Sequence, residues 1–119
     1  MPRRIIYYHT ERGDSPVQEF IDSLSVKEQA KCLAYIAALR DSPLYLPASI
    51  AKKVEGRRWE LRPEFGGTEF RLLYFLFLEG AIVFVHALKK KKQQSKRADI
   101  ELAIRRMNDY EKAHSTHED

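Results

Sequence analysis

The longest apolar stretches lie in the second half of the chain, in runs separated by glycine turns. Trp59 to Arg62 alternates apolar and polar residues, the period of a half-buried strand. Gly66-Gly67 marks a reversal. Phe70 to Leu78 is then apolar apart from Arg71, and Ala81 to Leu88 is apolar apart from His86. Glu79-Gly80 between these runs predicts a tight hairpin. Strands apolar on both faces belong in the middle of a sheet covered on both sides. Arg71 and His86, carried inside such strands, therefore stand out. A buried, unpaired arginine is costly, so Arg71 needs a partner or an opening to water.

The first half reads differently. Ile5 to Tyr8 is β-branched and aromatic and predicts a first strand. Ser15 is placed as an N-cap, Pro16 suits the first helical position, and Gln18 would complete a capping box. Val17, Phe20, Ile21 and Leu24 then make one apolar stripe of a short helix. Ser25-Val26-Lys27-Glu28 is a second capping box, opening a longer helix with Ala30, Leu33, Ala34 and Ala37 on its core face and Ile36 and Leu39 widening it. Asp41-Ser42-Pro43 ends that helix. Leu44 to Ala51 reads as a loop, and Val54-Glu55-Gly56 as a turn into the strands. From Ser95 to Lys112 helical spacing returns, with Ile100, Ala103, Ile104, Met107 and Tyr110 on one face and Asp99, Glu101, Arg105, Arg106 and Asp109 on the other. The order β-α-α-β-β-β-α predicts an α+β domain: an antiparallel sheet joined by the first strand, with two helices on one face. Residues 1–113 are read as one domain and the polar residues 114–119 as a frayed tail.

Composition narrows the function classes. At 119 residues with 44% hydrophobic and 32% charged residues, the chain has a soluble balance and enough length for a core. No run approaches the roughly 18 apolar residues of a membrane span. The basic start at Arg3-Arg4 lacks a long apolar region and a small-residue cleavage site, so a cytoplasmic protein is expected. The single Cys32 cannot form an internal disulfide and reads as a small core residue. A net charge of +4 and a pI of about 9.2 point to an acidic partner, nucleic acid or protein.

The basic charge is concentrated. Lys89, Lys90, Lys91, Lys92, Lys96 and Arg97 occupy residues 89–97 without an acid. Two readings stand: a solvated loop or localisation address, or cations anchored at both ends that bind a phosphate chain. Lys52, Lys53, Arg57, Arg58 and Arg62 form a second group, with Glu55, Glu60 and Glu64 mixed in. Strand alternation puts Arg58, Glu60 and Arg62 on one face, opposite Trp59 and Leu61. Arg71 is either a structural ion pair to Glu60 or Glu69, or a fixed guanidinium aimed at a phosphate. His86, alternating with Phe84 and Leu88, is either a satisfied core group or a general acid or base beside the lysines. Trp59 is a core residue or a platform for a base. His114 and His117 have weak metal spacing with no supporting framework, and no metal or cofactor is assigned. No phosphate-binding glycine loop, Ser-His-Asp pattern or CxxC occurs.

These residues together resemble the RelE/ParE toxin superfamily of type II toxin–antitoxin systems, and within it the HigB-like, phage-derived branch. W-E-L-R at 59–62, F-R-L-L-Y-F at 70–75, I-V-F-V-H-A-L at 82–88, K-K-K-Q at 90–93 and I-E-L-A-I-R-R-M-N-D-Y at 100–110 carry the resemblance. It implies a ribosome-dependent endoribonuclease that cuts mRNA without metal and is neutralised by a helix-turn-helix antitoxin. Arg71 matches the arginine used at the scissile phosphate, Lys90 and Lys91 the basic pair after the last strand, and Arg58 a position where some members place a catalytic lysine. Glu60 departs from the pattern, since the best-known member has lysine there. The chemistry needs a base for the 2′-hydroxyl, cations on the phosphate and an acid for the leaving 5′-oxygen. Arg71 suits the charge-stabilising role. Lys90 or Lys91, its pKa lowered by cationic neighbours, suits the base, and His86 is a further candidate for proton transfer. Lys52, Lys53, Arg58, Arg62, Lys89, Lys92, Lys96 and Arg97 are the candidate RNA contacts. The competing readings are a gyrase-poisoning toxin of the ParE kind, which shares the fold but cuts no RNA, and a phage-derived nucleic-acid-binding module without toxicity.

Overall fold

The computed structural model describes residues 3–42, 46–90 and 96–114. Its elements are β1 (Ile5–Tyr7), α1 (Pro16–Asp22), α2 (Val26–Asp41), β2 (Ala51–Glu55), β3 (Arg58–Leu61), β4 (Glu64–Phe65), β5 (Thr68–Phe77), β6 (Ala81–Lys89) and α3 (Lys96–His114). The fold is α+β: strands in the order β1-β6-β5-β3-β2, with β4 on β5 and helices against the sheet. The first strand does join the sheet, parallel to β6, while the other pairings are antiparallel. No helix among the described residues is long and apolar enough to cross a membrane.

The β5–β6 hairpin is the centre of the sheet and is buried on both faces, as its apolar runs require. One face carries Leu61, Phe70, Leu72, Tyr74, Ile82 and Phe84 under α1 and α2. The other carries Leu73, Phe75, Val83 and Val85 under Ala103 and Met107 of α3. Full burial of a phenylalanine such as Phe70, Phe75 or Phe84 contributes about 2–3 kcal/mol relative to exposure. The Tyr8 hydroxyl donates to Asp109 at 2.6 Å and ties α3 to the end of β1. The predicted reversal forms, but as a three-residue connection, Leu78 to Gly80, between the paired Phe77 and Ala81. The Ala81 N–H donates to the Leu78 carbonyl at 3.3 Å, and Glu79 and Gly80 take positive φ of 59° and 80°.

Several expectations are corrected. Ala51–Glu55 is not loop and turn but the edge strand β2, in register as Lys52↔Glu60 and Lys53↔Trp59. The sequence A-K-K-V-E has little strand character of its own; pairing with β3 supplies it. On α2 the buried residues are Cys32, Ile36 and Leu39, whereas Ala30 and Ala34 are exposed and Leu33 is 46% exposed. Alanines give little area to bury, so the bulkier stripe turns inward. Cys32 is a core residue as read, its thiol pushed up to about 11 chiefly by burial. The helix α3 runs through His114, whose ring stacks on Tyr110 at 4.0 Å between centroids. Residues 115–119, including His117, lie outside the described residues.

The two capping boxes part company. The Ser25 hydroxyl accepts from the Glu28 N–H at 3.2 Å and the Glu28 carboxylate accepts from the Ser25 N–H at 3.1 Å. Ser15 flanks α1, but its hydroxyl is buried without a hydrogen bond, and Gln18 donates to Asp22 instead. Ser25→Ala is therefore expected to lower stability by about 1 kcal/mol. Ser15→Ala is expected to be neutral or stabilising, since it removes an unpaired polar atom. Urea unfolding of both variants checks the pair.

Candidate functional site

A cleft of about 150 Å³ opens on the α3 face of the sheet, beside the first turns of that helix. Strand alternation builds it. Lys52, Glu60, Leu73 and His86 are cross-strand neighbours on β2, β3, β5 and β6, and the next rung pairs Arg71 with Leu88. Lys52, Glu60, Arg62, Arg71 and Lys90 line the polar side, Leu73, Leu88 and Ile100 the apolar side, and Asp99 the α3 side.

His86 reaches this face by an irregularity. The register passes from Leu73↔His86 to Tyr74↔Phe84, so Val85 is an extra residue on β6. Such a bulge turns every later side chain of the strand to the other face. His86 therefore does not share the face of Phe84, as unbroken alternation predicts; it leaves the α1–α2 core and meets α3. Its Nε2 lies 2.9 Å from Asp99 Oδ1, and its Nδ1 lies 3.5 Å from Arg106 Nη1. Arginine only donates, so these contacts fit an Nδ1 acceptor and an Nε2–H that donates to the carboxylate. The same Arg106 nitrogen donates to the Val85 carbonyl at 2.8 Å. Asp99 and Arg106 were legible only as charges on the polar face of α3; helical spacing does not say which strand residue they meet.

Arg71 is the centre of an ion network. Its side chain is 8% exposed, and each guanidinium nitrogen has a partner. Nε faces Glu60 Oε1 at 3.3 Å, Nη2 donates to Glu69 Oε1 at 2.9 Å, and Nη1 donates to the Phe70 carbonyl at 2.9 Å. Glu60, itself 14% exposed, also accepts from Arg62 Nε at 3.1 Å. Both carboxylates named as alternative partners for Arg71 are thus engaged at once. Lys90 Nζ lies 3.7 Å from Glu69 Oε1. The Arg71 hydrogen bond, then the charges of Arg71 and Lys90, hold the Glu69 carboxyl below its ordinary range.

The remaining candidates divide. Arg58 does not reach the cleft: it is 8% exposed, its Nε is unpaired, and its Nη2 sits 3.1 Å from where a Cβ on Gly56 would be. Gly56 is favoured by the turn, at φ +58°, and a Cβ there would crowd the Arg58 guanidinium. Lys53 and Lys89 pair in register with Trp59 and Phe70 and so lie on the opposite face. Trp59 stacks on Tyr74 at 6.3 Å and packs against the core. Arg97 pairs with Glu55 at 3.3 Å. Lys91, Lys92 and the side chain of Lys96 lie outside the described residues. Among the described residues no group of three or more His, Cys, Asp or Glu is arranged to hold a metal ion.

The two carboxylates of the network differ in what their loss does. Glu60→Ala leaves two guanidiniums without their shared partner under little solvent, and is expected to cost about 3 kcal/mol. Glu69 is 43% exposed, and its replacement is expected to cost less. Because the Glu69 carboxyl is depressed in the folded chain, its contribution is present above its ordinary value of 4.5 and lost as pH falls through the lower folded value. The stability gap between wild type and Glu69→Gln is therefore expected to close on acidification across that window, by denaturant unfolding at stepped pH.

No curated protein matches the chain. The family model described as phage derived protein Gp49-like matches residues 19–108, which run from α1 into α3 and include every residue lining the cleft. The chain belongs to the phage-derived Gp49-like family.

Proposed function

We propose that the chain is the toxin of a type II toxin–antitoxin pair, of the HigB-like branch, and that it cleaves mRNA on the ribosome. The Gp49-like family is known for RelE-like toxins, which supports the toxin reading. The observation that carries the nuclease reading is the cleft itself: Arg71 fixed beside Lys52, Arg62 and Lys90, with the His86–Asp99 pair on the same side of the sheet. Arg71 and Lys90 hold the scissile phosphate. The 2′-oxygen bonds to phosphorus as the bond from phosphorus to the 5′-oxygen breaks. The 2′-hydroxyl proton leaves to a basic group of the cleft, and the 5′-oxygen takes one back. Lys90, which lines the cleft, and His86, which is outside its lining and joined to it through the hydrogen bond to Asp99, are the described groups suited to those transfers. Lys91 is a further candidate. The partner is a helix-turn-helix antitoxin, and the site of action is the cytoplasm.

One observation favours a second reading. Every nitrogen of Arg71 already has a protein partner, as a purely structural arginine would. On that reading the chain is a ParE-like toxin that binds gyrase and cuts no RNA.

Induction in a bacterial host, with labelled methionine and labelled thymidine followed in parallel, separates the two. Early collapse of methionine incorporation with mRNA cut inside translated frames is the expected result. Earlier loss of thymidine incorporation moves the assignment to gyrase. Arg71→Ala is expected to abolish toxicity while circular dichroism shows a folded protein. A fully toxic variant would remove Arg71 from the mechanism.

A further inference from the structure

An anion approaching Arg71 meets two carboxylates of unequal mobility. Glu60 is 14% exposed and its Oε1 is shared between Arg62 at 3.1 Å and Arg71 at 3.3 Å. Moving it would take the shared carboxylate from two guanidiniums at once, leaving Arg62 the Ala48 carbonyl and Arg71 the outer Glu69 and the Phe70 carbonyl, which is costly where water is scarce. Glu69 is different. Its side chain is 43% exposed, and one oxygen lies between Arg71 Nη2 at 2.9 Å and Lys90 Nζ at 3.7 Å. Its backbone is pinned, because the Lys90 N–H donates to the Glu69 carbonyl at 2.8 Å. Only the side chain has to swing, and it swings into solvent. An oxygen shared by a guanidinium and an ammonium is also where a phosphate oxygen would bind. A broader opening of about 330 Å³, bounded by Ser49, Arg62, Glu64, Glu69, Arg71 and Lys90, gives the approach.

We propose that Glu69 is an internal anion that fills the phosphate seat of Arg71 and Lys90, and that an RNA phosphodiester enters by displacing it. The identity of the ligand as RNA rests on the nuclease reading above; the displacement rests on the geometry. Glu69 then sets how tightly, and for which ligands, the seat is available. Because the Glu69 carboxylate is 43% exposed, it can regain water as it leaves, and the pair yields to a ligand with many phosphate contacts. The inner Glu60 stays in place and keeps Arg71 oriented while the outer carboxylate leaves.

The test is affinity for a single-stranded RNA oligonucleotide made uncleavable by 2′-O-methylation, measured by fluorescence anisotropy. Glu69→Gln removes the competing charge and is expected to bind roughly fivefold tighter than wild type. Glu69→Asp, which keeps the charge on a shorter arm, is expected to fall between them. Glu64→Gln makes the same charge change on the neighbouring strand without touching Arg71, and is expected to gain much less. Adding Arg71→Gln to Glu69→Gln is expected to erase the gain. Equal affinity of wild type and Glu69→Gln overturns the proposal. An equal gain from Glu64→Gln also overturns it, because bulk charge would then explain the effect. The probe is not cut, so this outcome is read separately from the cleavage assay: a wild type that leaves mRNA intact defeats the nuclease reading, whereas unchanged binding defeats only the displacement.

Discussion

Arg71 sits in a strand that helices cover from both sides, and that constraint shapes the cleft. A guanidinium in such a place must find carboxylates or carbonyls close by. Glu60 reaches it from β3, and Glu69 from two residues earlier on β5. The pairing then draws in Arg62 through Glu60 and Lys90 through Glu69. One buried charge thus recruits a cluster, and that cluster forms the polar wall of the cleft that joins β2, β3, β5, β6 and α3. The arrangement is layered. The inner carboxylate is shielded and shared by two arginines, and the outer one is half in solvent. Rigidity lies inside and mobility outside, which suits a site that must keep its arginine aimed while exchanging what the arginine holds.

The bulge at Val85 has comparable weight. Without it, His86 would project into the core under α1 and α2, among Tyr74 and Phe84. With it, the ring crosses the sheet and meets Asp99 and Arg106 of α3. The extra residue also leaves a carbonyl for Arg106 to cover. A local backbone irregularity therefore brings a titratable ring, a carboxylate and a cluster of cations to one side of the sheet. The Gp49-like match covers all of these positions.

The core of the fold was legible because its signal is local. Runs that are apolar on both faces mark β5 and β6, and the glycine turns between them are dictated by positive φ. The four-residue motif at Ser25 was legible for the same reason, as it closes on itself. Less legible were features that depend on a neighbour. The strand β2 exists because β3 offers it an edge. The inward face of α2 was chosen by competition between two apolar stripes, and the larger side chains prevailed. The Ser15 cap looked as good in sequence as the Ser25 cap, yet Gln18 turned to Asp22.

The sequence by itself determined that the chain has a two-sided central hairpin, that an arginine and a histidine are carried in it, and that basic residues gather around it. Those properties follow from side-chain polarity and spacing, which need no partner. Tertiary structure alone decided which charges are free to meet a ligand. Arg58 was packed beneath Gly56, Arg97 was tied to Glu55, and Lys53 and Lys89 were turned to the other face. Strand register, one bulged residue and the docking of α3 made those choices. Each is a long-range pairing whose free energy is set by what lies opposite, and a linear pattern does not contain it.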